Sequence, residues 1–180
     1  MLGNPKDAYQ SNHENVFVHG CGTGFHNQIM ASNSLNLGFS ATAMHYVSEK
    51  PCEIEKHVHM VGATKLEHNL FARQAAKDWE KILLARSNEL KKGGRFVVLN
   101  FGIDEQGRYL GNTGGHSMFD KFTHHWRSLQ ADGTITENEF KRATFAQHYR
   151  TLEEFKAPFD DTGSSVSKSG LRLKSIRTQV

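Results

Sequence analysis

A chain of 180 residues can bury about two-thirds of its surface, which is enough for one domain with its own hydrophobic core. With 37% hydrophobic and 23% charged residues it has an ordinary globular composition, which excludes a disordered or fibrous class. The formal charge of +3 is small and the basic residues are scattered among acids, so no basic stripe points to nucleic acid.

Two cysteines, Cys21 and Cys52, are too few for a disulfide framework, and no apolar run reaches the ~20 residues that cross a bilayer. The polar start of the chain has no signal-peptide apolar region, so a cytoplasmic setting without membrane contact is the expectation.

In chain order, Met1 to Asn15 reads as an irregular lead-in. Val16 to His19 predicts a short strand stopped by Gly20-Cys21-Gly22-Thr23-Gly24, and Phe25 to Met30 the start of a helix. Ser34 to Phe39 predicts a strand, and Thr42 to Val47 a short helix that Pro51 ends. From Pro51 to Asn69 a surface connection is expected, in which His57 to Val61 alternates as a strand would.

Between Leu70 and Leu90 the apolar residues Ala72, Ala75, Ala76, Trp79, Ile82 and Leu83 recur at helical spacing. Gly93 and Gly94 are expected to end that helix, and Arg95 to Phe101 to form a buried strand, which together make an α/β unit. Gly102 to Gly115 is glycine-rich and reads as a mobile loop, and Met118 to Gln130 as a partly buried helix. Thr136 with Glu139, and Thr151 with Glu154, have the spacing of capping boxes and predict two further helices. A Gly- and Ser-rich loop, Asp160 to Ser169, then leads to a half-exposed strand within Lys168 to Arg177.

Several residue groups invite chemistry. The pairs His57-x-His59 and His124-His125 carry the commonest metal-ligating side chain, but neither has a third ligand at suitable spacing, so structural use and no metal is expected. Asp132 to Glu139 imitates the back half of a calcium loop, yet Ser128 and Gln130 stand where carboxylates are needed. A turn followed by a capped helix accounts for those residues better. Neither a nucleophile elbow nor a Cys-His pattern for hydrolysis is present.

The Gly20 to Gly24 loop has the small residues that let a backbone approach a nucleotide cofactor, although Val18, His19 and Ser40 occupy places where accompanying acids would stand. Four ordered segments give it a different setting. They are Gly20 to His26; Asn33-Ser34-Leu35 followed by Ser40 to Ser48 and Pro51; Asp78-Trp79 through Arg86 to Leu90 and Gly93 to Val98; and Tyr149 to Phe155. In this order the chain resembles the plant salicylate, benzoate and theobromine carboxyl methyltransferases (SABATH family) over nearly its whole length.

The resemblance implies an α/β fold: a partial Rossmann-like methyltransferase sheet with a helical cap over the acceptor site. It implies one incomplete domain over residues 1–180, with a loop and cap insertion at about 103–160, and a first glycine motif and ribose-binding acid lying before Met1. S-adenosyl-L-methionine is the implied cofactor, with Gly24 and Phe25 on the cofactor-binding loop and the Phe25 ring near adenine. Gly24 stands where the family has Ser, so only its backbone could take part.

A small-molecule carboxylic acid is the implied acceptor. His45 and Tyr46 occupy the place of the family's His-Trp pair that donates to the carboxylate, and are the implied catalytic and substrate-binding residues. Phe119 matches an aromatic pocket wall and Tyr149 a further pocket position. The family's magnesium-binding Asp and Asn have no counterpart between Arg142 and Phe145.

A carboxylate is already nucleophilic, so holding one oxygen in line with the methyl group is the chief catalytic demand. The competing reading is a non-catalytic remnant or interaction module. Sheet edges left by absent strands would drive such a module to a homodimer or to aggregation.

Overall fold

The computed structural model describes residue 8 and residues 11–113 and 116–179. At its centre strand β1, Leu35–Ala41, runs parallel to strand β2, Leu90–Leu99. They are joined by helix α1, Lys65–Glu89, whose Thr64 and Glu67 form a reciprocal capping box. Strand, helix and parallel strand form one crossover unit, as the apolar periodicity of α1 requires.

Helix α1 passes into β2 without a loop: Leu90 already has extended backbone (φ −72°, ψ 136°). Gly93 and Gly94 therefore do not end the helix as expected. They lie inside β2, beside a register shift between Leu35 and Leu37. Gly93 has φ +82°, and a Cβ on Gly94 would stand 3.0 Å from the Leu35 carbonyl oxygen, so both positions need glycine where the strands draw together.

One sheet face packs Phe96 and Val98 on Trp79, Ile82 and Leu83 of α1. The other carries Leu37, Phe39, Val97 and Leu99, which are exposed.

A two-residue strand β3, Gly102–Ile103, pairs in parallel with β6, Arg150–Thr151. The residues between leave the sheet and return beside their point of departure. This excursion holds the hairpin of β4, Asn112–Thr113, and β5, His116–Ser117, then α2, Met118–Ala131, and α3, Glu137–Arg142. The capping boxes expected at Thr136 and Thr151 both form and open α3 and α4, Leu152–Asp160. A short α5, Ser165–Lys168, packs Val166 under α1.

Several local expectations are corrected. Val16 to His19 forms no strand and is mostly exposed, because no neighbouring strand pairs with it among the described residues. Phe25 to Met30 and Thr42 to Val47 are turns and not helices; Thr42 has φ +52°, and Tyr46 bridges to Gln147. His57 to Val61 is not a strand but a buried turn ending in a single 3-10 turn, Met60–Gly62.

The segment 102–113 is ordered by Asp104, whose carboxylate accepts from the backbone N–H groups of Gln106 and Arg108 and from the Arg108 guanidinium. Gly114 and Gly115 lie outside the described residues, as does most of Met1 to Gln10. Leu171 to Arg177, expected to hold a half-exposed strand, forms none and has no strand partner among the described residues.

Candidate active site

Beyond the end of β1 the chain turns sharply and buries His45, which is 2% exposed, while Tyr46 beside it stays 46% exposed. The His45 ring lies 4.5 Å from that of Tyr46, 5.1 Å from Phe101 and 5.6 Å, edge-on, from Tyr149. Tyr149 in turn meets Phe119 at 6.0 Å and His59 at 4.8 Å, and His59 stacks flat on Phe119 at 3.8 Å. The fold thus gathers His45, Tyr46, Phe119 and Tyr149 into one aromatic cluster, although up to 104 positions separate them (149 − 45). Tyr149 comes in on the residue just before β6, and α2 carries Phe119 in its first turn.

Burial holds the His45 imidazole below its ordinary range, with Arg150 adding to the effect against an opposing bond from Asn100. Burial likewise lowers His59 to about 3, so it is neutral, and its Nδ1 accepts from the Val61 N–H while Nε2 faces the Gln147 side-chain Oε1 at 3.2 Å. Burial pushes the Tyr149 phenol up to about 12. The cluster therefore holds neutral rings at neutral pH.

Gly24 and Phe25 lie on a turn in front of this cluster. His26 connects them to it, its Nε2 lying 3.2 Å from the Tyr46 carbonyl oxygen. The Phe25 ring is half-buried and stacks on His26 at 4.1 Å, and no atom lies within 4 Å of where a Gly24 Cβ would stand. An aromatic face beside an open backbone suits one side of an adenosine group; no acid in this turn is placed for its ribose.

The turn is fixed by the last turn of α1. The buried Arg86 and Glu89 pair through two contacts of 2.6 Å. The Arg86 guanidinium also donates to the carbonyls of Phe25 (2.9 Å) and Asn27 (2.8 Å), while Glu89 Oε1 accepts from the N–H groups of Ile29 (2.5 Å) and Met30 (3.2 Å). Burial alone would raise the Glu89 carboxyl, but the bonds from Arg86, Ile29 and Met30 outweigh it and hold it below the usual range.

Sequence reading assigns no part in this site to Asn100, Phe101 or this ion pair, and gives His59 a structural use only. Only Arg86-x-x-Glu89, an i, i+3 charge pair on the buried stripe of α1, carried a usable signal.

Of the histidines raised as metal ligands, His57 and His59 have protein partners. His57 contacts the Asp120 carboxylate at 3.0 Å and the His59 carbonyl at 2.8 Å. Among the described residues no group of three His, Cys, Asp or Glu side chains could hold a metal ion. Asp132 and Glu139 serve the turn and the helix cap, accepting from Thr134 and Thr136.

A parallel β–α–β unit, a cap that leaves and rejoins the sheet, and an aromatic site below the cap define an α/β fold of the Rossmann-like methyltransferase class. The solved structure of loganic acid methyltransferase with SAH has this fold, with a TM-score of 0.70 and 20% identity over 83% of this chain and 45% of that one. The model of the SAM dependent carboxyl methyltransferases matches residues 2–168, and the chain belongs to that family.

Its curated relatives include the salicylate/benzoate carboxyl methyltransferase of Arabidopsis thaliana, 24% identical over 170 residues, covering 88% of this chain and 43% of the relative. The farnesoic acid carboxyl-O-methyltransferase of the same plant is 32% identical over 91 residues, covering 46% and 26%. The chain spans less than half the length of these relatives. Among the described residues no helix is long and apolar enough to cross a membrane.

Proposed function

We propose that the chain contributes the acceptor side of an S-adenosylmethionine-dependent methyltransferase that esterifies a small-molecule carboxylic acid, in the cytoplasm. The observation that carries this reading is the junction of the Gly24–Phe25 turn with the His45–Tyr46 pair through His26 and the Tyr46 carbonyl. It brings the residues assigned to cofactor and to acceptor within reach of one another. The family match favours an enzyme over a non-catalytic interaction module.

When bound, S-adenosylmethionine supplies the electrophilic methyl group. Phe25 offers its ring to the adenine and Gly24 its open backbone. His45 and the Tyr46 hydroxyl hold the acceptor carboxyl group, so that one oxygen is free to attack and cannot rotate away. Phe119 and Tyr149 line the pocket and keep water from it. Residues 103–160 act as loop and cap, a reading supported by the return of the excursion at β6 beside β3.

The reading is tested by calorimetric titration with S-adenosylhomocysteine, on this chain and on a form extended at its N-terminus, and by a methyl-ester assay over a panel of small acids. His45→Ala is expected to lower kcat/KM on the order of 100-fold by misplacing the acceptor. An extended form that binds no S-adenosylhomocysteine, or an unchanged rate in His45→Ala, overturns it.

A further inference from the structure

The neighbour that decides which nitrogen of His45 carries a proton is Asn100, the first residue after β2. Its Nδ2 donates to the Phe101 carbonyl oxygen at 2.8 Å, which turns its Oδ1 toward His45 Nδ1 at 3.3 Å. An amide oxygen only accepts, so Nδ1 is the protonated nitrogen of the neutral ring. Nε2 is then a lone pair, and a lone pair cannot donate to a carboxylate.

The surroundings hold the ring in this state. His45 is almost fully buried, its carbonyl accepts from the His148 N–H at 2.8 Å, and Tyr46, Phe101 and Tyr149 pack around it. The titratable groups acting on it are Arg150, whose positive charge opposes a second one, and neutral His59 across Tyr149; the His45–Asn100 bond favours a charged ring. Glu154, the nearby carboxylate on α4, is engaged by His148 Nε2 at 3.0 Å.

We infer that Asn100 is a positioning residue that fixes His45 in the Nδ1–H form, so that the acceptor acid is captured together with one proton, shared between its carboxyl group and His45 Nε2. This rests on the acceptor reading of His45 given above. The bound pair is an imidazolium and a carboxylate: Nδ1–H remains on Asn100 and Nε2–H points to one carboxylate oxygen, leaving the other free. Once that oxygen carries a methyl group the ester is uncharged, the imidazolium has lost its counter-charge, and its proton returns to water. Acid binding is thereby proton-linked, and product formation weakens the contact that held the substrate.

Nitrogen-15 NMR of the histidine rings in the chain without substrate should show His45 protonated at Nδ1 and bare at Nε2. Affinity for a bound acid, read by calorimetry in two buffers of different ionisation heat, should include uptake of about one proton and fall about tenfold per pH unit above neutrality. Asn100→Leu frees the ring to adopt the Nε2–H form, so proton uptake and pH slope should both flatten. Asn100→Asp keeps an acceptor for Nδ1–H and should restore the wild-type tautomer, with the decline moved to higher pH.

An Nε2–H tautomer in the free wild-type chain, or acid binding without proton uptake, overturns the inference. An Nδ1–H tautomer that Asn100→Leu abolishes, in a protein that binds no acid even with the N-terminal extension, overturns the acceptor reading instead and leaves the tautomer assignment standing.

Discussion

The two hydrophobic clusters of the molecule bury polar groups in opposite ways. Around the back half of α1, Met44, Trp79, Ile82, Leu83 and Val166 pack beside the charged pair Arg86 and Glu89. Around the cap, Val47, Ile54, Met60, Phe71, Phe119 and Tyr149 pack beside His45, His59 and His148. A buried ion pair works here because each charge meets backbone partners of the opposite sign, and those partners belong to the Gly24–Phe25 turn. His45 and His59 avoid the cost of charge by staying neutral. One region is built to hold a turn still and the other to respond to protons.

The largest effect should come from breaking the pair. Arg86→Ala leaves Glu89 buried without its counter-charge and should cost about 3–5 kcal/mol in urea denaturation. Replacing both, as Arg86→Met with Glu89→Leu, should recover most of that stability. It would still release the carbonyls of Phe25 and Asn27 and the N–H groups of Ile29 and Met30, the latter seen as faster hydrogen exchange within residues 24–30. A double replacement that leaves exchange over that turn unchanged would show that the pair does not fix it.

Acid separates the regions next. His59 has its ionisation lowered from 6.5 to about 3 by burial. Between those values the unfolded chain holds a proton that the native one refuses, so stability falls as pH drops, by ~1.4 kcal/mol per unit. From pH 6.5 to 5 that is about 2 kcal/mol from His59 alone, and His45 and His68, both lowered first by burial, act in the same direction. Glu89 is held below its ordinary 4.5, so its contribution is present above that value and is lost only as pH falls further.

The chain's two tryptophans divide between the regions, Trp79 on α1 and Trp126 on α2. In Trp79→Phe and Trp126→Phe variants the remaining fluorophore reports one side. At pH 5 the Trp126 signal should melt earlier than at pH 7, and by a wider margin than the Trp79 signal. Equal shifts would mean that the two regions unfold as one.

The same division explains what could be read in the sequence. Helix α1, the strand that follows it and both capping boxes follow from local periodicity and spacing, because the forces that form them act within a few residues, whereas the expected burial of that strand does not hold, since Val97 and Leu99 on one face are exposed. The resemblance placed His45, Tyr46, Phe119 and Tyr149, which the fold brings together. Nothing local could show that His57 to Met60 is buried, since its partners Asp120, Phe145 and Gln147 lie more than sixty positions away. Val16 to His19 failed for the converse reason: a short apolar run becomes a strand only where another strand accepts its hydrogen bonds.

The smallest effect falls where the regions meet. Thr151 opens α4 by accepting from the Glu154 N–H at 3.2 Å, and Glu154 answers by accepting from the Thr151 N–H at 2.8 Å. The second oxygen of that carboxylate takes the His148 Nε2 contact, so a helix cap is also the counter-group of a buried histidine. Thr151→Ala removes one cap bond and should cost about 1 kcal/mol in urea denaturation, with Thr151→Ser restoring most of it. Because Glu154 keeps His148, the loss should be the same at pH 7 and pH 5.5. A loss that grows in acid would instead mean that the cap hydroxyl also orients Glu154 toward the histidine, coupling the helix end to the proton-responsive side of the molecule.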